Sequence, residues 1–152
     1  FFELLKDEST GKLFLQRFVL TKKWGADMPE ITSMTKHEIK GLPAVPSVCA
    51  FPTYNLPEYA FFAIGKDLYM VDIVNMSDAE LYYHFDSDIT AMDYGSVRNI
   101  HLAVGLEDGS FFVLGANAAK NIKDEHKLVY QAPEKVGKIV DIKYKNNSMW
   151  NY

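Results

Sequence analysis

The side chains in this sequence best suited to recognise a ligand are Trp24, Tyr54, Asn55 and Arg98. An exposed indole or phenol ring can stack on the apolar face of a sugar, while an amide and a guanidinium bond its hydroxyls. Asp86 and Asp88 flank Ser87 in the alternation that calcium loops use, and they belong to a wider set of acids at expected turns: Asp7, Glu8, Asp67, Glu107, Asp108 and Glu134. Calcium takes about six or more oxygen ligands, and no further ligand follows Asp88 at regular spacing. Aspartate also favours turns because its carboxylate bonds nearby backbone amides. No metal is therefore assigned, with Asp86 and Asp88 as a weak candidate pair.

For covalent chemistry the chain offers Ser47, Ser96 and Ser110 as hydroxyl nucleophiles, and Cys49 as a thiol. None of the serines stands in the glycine-flanked elbow that exposes a hydrolase nucleophile. Cys49 sits in the apolar run Val48-Cys-Ala-Phe51 and reads as a small buried hydrophobe. His37, His84, His101 and His126 lack the spacing of metal ligands, and His84 and His101 fall within strand patterns, where a hydrogen-bonded structural role is expected. No catalytic residue and no cofactor is assigned.

The elements that position these residues follow from a repeat. Tyr59-Ala-Phe-Phe-Ala-Ile-Gly65 turns through Lys66-Asp67 and returns as Leu68-Tyr-Met-Val71, followed by Leu81-Tyr-Tyr-His-Phe85 and Ile89-Thr-Ala-Met-Asp-Tyr94. The second copy reads Ile100-His-Leu-Ala-Val-Gly105, a turn at Glu107-Asp-Gly109, Phe111-Phe-Val-Leu114, Leu128-Val-Tyr130 and Ile139-Val-Asp-Ile-Lys-Tyr144. Four short strands per unit, at a period of roughly 40 to 50 residues, are the signature of a β-propeller blade. Asp108-Gly109 is the strongest hairpin signal, because Gly adopts positive φ at no steric cost.

Composition agrees with an all-β chain. The 152 residues are 48% hydrophobic and 14% aromatic, enough for a packed core with side chains that suit a pleated surface. A net charge of -4 argues against nucleic acid, whose recognition begins with Lys and Arg on phosphates. No apolar run reaches the roughly 18 residues of a membrane span. Asn117 to Lys127 is expected as a loop with one helical turn.

Residues 1–40 read as an incomplete blade, 47–85 and 89–130 as blades, and 139–145 as the first strand of a closing blade. Thr21 to Lys36 is expected as a long connection, with Thr35 to Lys40 as the outer strand. Joining the two ends would close a ring of only about three blades where propellers use about four to eight. The chain is therefore expected to be the C-terminal part of a larger propeller, covered by N-terminal blades. Trp150 and Tyr152 are expected to dock on a neighbouring blade or module.

Four features resemble a known family: Tyr59-Ala-Phe-Phe-Ala-Ile-Gly65-Lys-Asp-Leu-Tyr69, Phe85 to Tyr94 with its Ile-Thr-Ala-Met core, the Asp108-Gly109 hairpin, and Gly137-Lys-Ile-Val-Asp-Ile-Lys-Tyr-Lys145. Over about Tyr59 to Lys145 they are similar to the C-terminal propeller region of the PKD-like lipoproteins of Bacteroidetes. The resemblance implies export to the cell envelope, outside the cytoplasm, a lipid-anchored N-terminus, an Ig-like module before the propeller, and a role near carbohydrate uptake. It carries over no functional residues.

The reading that follows is a non-catalytic binding or scaffold domain of an extracytoplasmic surface protein, with a glycan or another envelope protein as partner. Trp24 with Tyr54 is the favoured glycan contact. The alternatives are a propeller-fold carbohydrate-active enzyme whose active residues lie mostly outside this chain, and an interaction propeller of the WD-repeat kind. The Trp-Asp dipeptide of those repeats is missing here.

Overall fold

A computed structural model describes residues 2–52, 59–95, 101–116 and 122–144. The protein is all-β, built from three antiparallel sheets, none of which closes or curls on itself. The first sheet holds β1 (Phe2–Lys6), β2 (Leu13–Thr21) and β3 (Glu30–Ile39) in that order. The second holds β4 (Val48–Ala50), β5 (Tyr59–Ile64), β6 (Asp67–Asp72) and β7 (Glu80–His84). The third holds β8 (Ile89–Gly95), β9 (His101–Leu106), β10 (Phe111–Gly115) and β11 (Leu128–Gln131). One helical turn, α1 (Asp124–Lys127), precedes β11.

Alternation along the strands decides how the sheets stack. In β5, Tyr59, Phe61 and Ala63 point to one side and Ala60 and Phe62 to the other, and all five are buried. The Tyr59 side packs with Leu68, Met70 and Tyr82 against Met92, Tyr94, Leu102, Val104 and Leu114 of the third sheet. The Phe62 side packs with Val71 against Leu15 and Ile39 of the first. A strand buried on both faces must be apolar at every position, which is why Tyr-Ala-Phe-Phe-Ala-Ile shows no polar alternation. The second sheet is the filling of the stack.

Two phenols lock the second and third sheets in register. Tyr82 Oη donates to the Gly115 carbonyl at 2.5 Å, and Tyr94 Oη donates to the Tyr59 carbonyl. Burial first, and the nearby Asp124 charge second, push the Tyr82 phenol up to about 12, and burial holds that of Tyr94 well above its ordinary value, so both stay protonated donors.

Two expectations need correction. Thr21 to Lys36 is not one long connection, because β3 begins at Glu30 and pairs with β2 as far as Thr21. The distal half of this hairpin is solvated on both sides, so Ile31-Thr-Ser-Met-Thr35 needs no apolar alternation and hides its strand character. Residues 139–144, expected as a strand, pair with no strand among the described residues. Their amides go elsewhere: Ile139 N–H to the Leu106 carbonyl (3.3 Å), Ile142 N–H to Asp141 Oδ1 (2.9 Å) and Tyr144 N–H to Asp93 Oδ2 (2.7 Å).

The segment lies on the outer face of the third sheet, where glycines make room for it. A Cβ on Gly105 would stand 2.4 Å from Ile139 Cγ2, and one on Gly95 would stand 2.1 Å from Tyr144 Cε1. Thr90 Oγ1 donates to the Ile139 carbonyl at 2.5 Å.

Two-sided burial makes β5 the costliest strand to perturb. Phe61→Ala is expected to destabilise the protein by about 3–5 kcal/mol through lost burial and a cavity. Leu81→Ala, at a residue 57% exposed, should stay within about 0.5 kcal/mol. Urea denaturation of both variants checks this; equal losses would contradict the stacking.

Candidate functional site

The tip of the β2–β3 hairpin is the most exposed apolar feature among the described residues. Trp24 is 104% exposed and Met28 76%, and Leu20, Ile31 and Met34 are also exposed. Cross-strand pairing places Leu20 opposite Ile31 and Phe18 opposite Met34, so apolar side chains continue from the tip along one face. Ala26 N–H donates to the Lys23 carbonyl at 3.0 Å, and Gly25 takes the left-handed φ of 80° that the turn after Trp24 requires.

The arm is stiffened without a core. Thr21 and Thr32 hydroxyls bond across the strands at 3.0 Å, Thr32 Oγ1 donates to the Val19 carbonyl at 3.3 Å, and Lys23 Nζ lies 3.7 Å from Glu30 Oε2. An exposed ion pair contributes little, so the nine-residue register of β2 on β3 holds the tip in place. Exposed tryptophan on a braced arm is suited to contact, since its ring brings large area at low conformational cost.

Of the other expected ligand residues, Tyr54, Asn55 and Arg98 lie outside the described residues, as do Ser96, Trp150 and Tyr152. Tyr59, which opens the first repeat, is 7% exposed in the core between the second and third sheets. Its ring is needed there to fill the space beside Phe61.

The acids at the turns split by function. Asp7 Oδ1 accepts the Ser9 amide (2.9 Å) and hydroxyl (2.7 Å), which lowers its pKa. Asp67 and His84 are cross-strand partners with Oδ1 and Nδ1 2.5 Å apart. Glu107 and Asp108 do not form an open acidic rim: Lys138 reaches Glu107 at 3.0 Å and Lys135 reaches Asp108 at 2.7 Å. Asp86 and Asp88 are exposed, and among the described residues no three His, Cys, Asp or Glu side chains converge to hold a metal. The Ser87 hydroxyl between them accepts the Asp108 amide at 3.2 Å.

The serines are likewise engaged in structure. Ser47 Oγ donates to the Ala63 carbonyl at 3.4 Å, and Ser110 is buried with its amide on Asp108 Oδ1 at 2.9 Å. Desolvation pushes the Cys49 thiol up to about 11, away from the thiolate a nucleophile needs. Asp72 was not singled out by sequence, yet it is buried and accepts the amides of Val74 and Asn75, both at 3.0 Å. The only hint was its place ahead of Asn75 at the end of an apolar strand. No helix among the described residues is long and apolar enough to cross a membrane.

Neither a protein-family model nor a curated protein matches this chain.

Asp108 ties pH to the docking of residues 135–138. The Lys135 hydrogen bond, followed by the Ser110 backbone amide, lowers its pKa from 3.8 to about 2. A depressed carboxylate stabilises the fold above its unfolded value, and the contribution is lost as pH falls from about 4 towards 2. Titration of the Asp108 side chain by NMR should show the low midpoint in the native protein and a rise towards 3.8 in Lys135→Met. An unchanged midpoint in the variant would contradict the assigned cause.

Proposed function

We propose that this chain is a non-catalytic binding module of an extracytoplasmic surface protein, and that the β2–β3 hairpin tip is its recognition element. The observation that carries the reading is the full exposure of Trp24 on a paired, braced arm, with Met28 exposed beside it. Loops and tips on a rigid scaffold are where recognition concentrates, and a contiguous exposed apolar patch marks an interaction surface. The apolar run from Trp24 and Met28 to Ile31 and Met34 favours a protein partner over a carbohydrate. A sugar would need more hydrogen-bonding groups beside the ring.

A glycan is the second reading. Lys22, Lys23 and Asp27 flank Trp24 in sequence and supply groups able to bond hydroxyls around a stacked ring. The envelope location rests on the resemblance over Tyr59 to Lys145. The reading of the three sheets as blades of a larger propeller is supported by their stacking in chain order, each packed on the one before.

Trp24 reports on its own role. With Trp150 replaced by phenylalanine, Trp24 is the sole tryptophan, and its emission should shift to the blue when envelope proteins or a polysaccharide panel supply a partner. Trp24→Ala should weaken that binding by about 2 kcal/mol or more, as an interface anchor does, with no change in melting temperature. Full binding by Trp24→Ala would remove the tip from the site.

A further inference from the structure

Each sheet has an outer strand, β3, β7 or β11, with no further strand on its far side among the described residues. All three are internal to the chain. Such an edge presents unpaired backbone donors and acceptors, and charge is a common guard against unwanted pairing. β3 carries Glu30, Lys36, His37 and Glu38, and β7 is bounded by Glu80 and His84. β11, Leu-Val-Tyr-Gln, carries no charge.

Apolar side chains stand in water along that edge: Leu128 is 37% exposed, Val129 52% and Tyr130 50%. The adjoining charge is drawn away from it. Lys127 Nζ donates to the Tyr82 carbonyl at 3.0 Å and lies 2.7 Å from Asp124 Oδ1, with its side chain only 15% exposed.

The backbone of β11 is aimed outward as well. Ala132 N–H donates to the Phe111 carbonyl at 2.9 Å, which continues the ladder of β11 on β10. Hydrogen-bonding direction alternates along an antiparallel strand, so the amide and carbonyl of the residue before it, Gln131, point away from β10.

What fits this edge follows from its chemistry. Only an extended backbone satisfies a row of strand donors and acceptors, and the side chains beside these must be apolar and uncharged. Among the outer strands of the described residues, β11 alone meets that description. The matching strand is therefore another β11, which a second copy supplies without setting like charges against each other.

We propose that β11 of one copy pairs antiparallel with β11 of a second across a two-fold axis, the commonest symmetry of protein dimers. The two third sheets then become one continuous sheet. Outer strands of radially arranged sheets lie on the rim, and pairing there leaves a larger ring intact. The contact is separate from the hairpin tip and stands whether or not Trp24 binds a partner.

Sedimentation equilibrium on the full chain should show the 17.3 kDa monomer giving way to a species of twice that mass as concentration rises. Gln131→Pro removes an outward donor from each copy, a change that edge strands tolerate, and should weaken dimerisation by about tenfold or more. Val129 stands in the middle of β11, near the axis, and is half exposed, so the monomer accommodates a charge there. Val129→Lys and Val129→Glu should each stay monomeric alone, through like-charge repulsion, and should dimerise when mixed. Far-UV circular dichroism establishes that the variants fold, and if the proline variant does not, the two charged variants decide alone. A wild-type monomer at every concentration up to the solubility limit would overturn the proposal. So would a folded Gln131→Pro that dimerises as wild type does, a dimer that persists in each charged variant alone, or a mixture of the two that stays monomeric while the wild type dimerises.

Discussion

Burial of both faces of the β5–β6 hairpin is the constraint on which the other elements depend. A sheet with one wet face can stand alone, but Ala60, Phe61, Phe62, Ala63, Leu68 and Val71 leave the second sheet no polar face to turn to water. It must be covered twice. Each large side chain removed from water contributes about 1.5–3 kcal/mol, and the first and third sheets earn their places as the two covers. The alternation Phe61 to one side and Phe62 to the other sets how the three sheets stack.

Apolar contact alone does not set register, because it is indifferent to small slides. Directional bonds do that between the second and third sheets, where Tyr82 and Tyr94 reach in opposite directions across the interface to backbone carbonyls. Lys127 reinforces the same corner, its Nζ donating to the Tyr82 carbonyl at 3.0 Å and lying 4.6 Å from the ring centre. On the outer face of the third sheet the device is the opposite one, absence of side chains. Gly95 and Gly105 create the groove that Tyr144 and Ile139 fill, and Gly109, at a φ of 86°, lets the Val136 backbone approach closer than any Cβ would allow.

Much of this was legible in the residues. The Tyr59 and Ile100 repeats place strands where β5 to β10 occur, because continuous apolar runs bounded by Gly-Lys-Asp and Glu-Asp-Gly turns have few other solutions. The distal half of β3 was not legible, since a strand solvated on both faces carries no hydrophobic period. Residues 139–144 show the limit of reading strands from pattern. Their wording matches β8, but a ladder needs a partner edge, and an edge is supplied by the fold rather than by the segment itself. Trp24 was legible as an exposed aromatic because it stands in a polar stretch beside Gly25, whereas the depth to which Tyr59 is buried at the head of its apolar run is set by packing against the third sheet. Asp72 escaped notice because a buried carboxylate satisfied by the loop behind it looks, in sequence, like any turn aspartate.

Native-state amide hydrogen exchange tests the central claim most directly. If the second sheet is held between two covers, the amides of Phe61, Phe62, Leu68 and Val71 exchange only through global unfolding, at a free energy equal to that of denaturation. The distal β2–β3 hairpin and residues 139–144 should open locally and exchange faster. Exchange in β5 and β6 as fast as in the hairpin arm would contradict two-sided burial, and with it the stacking on which the account rests.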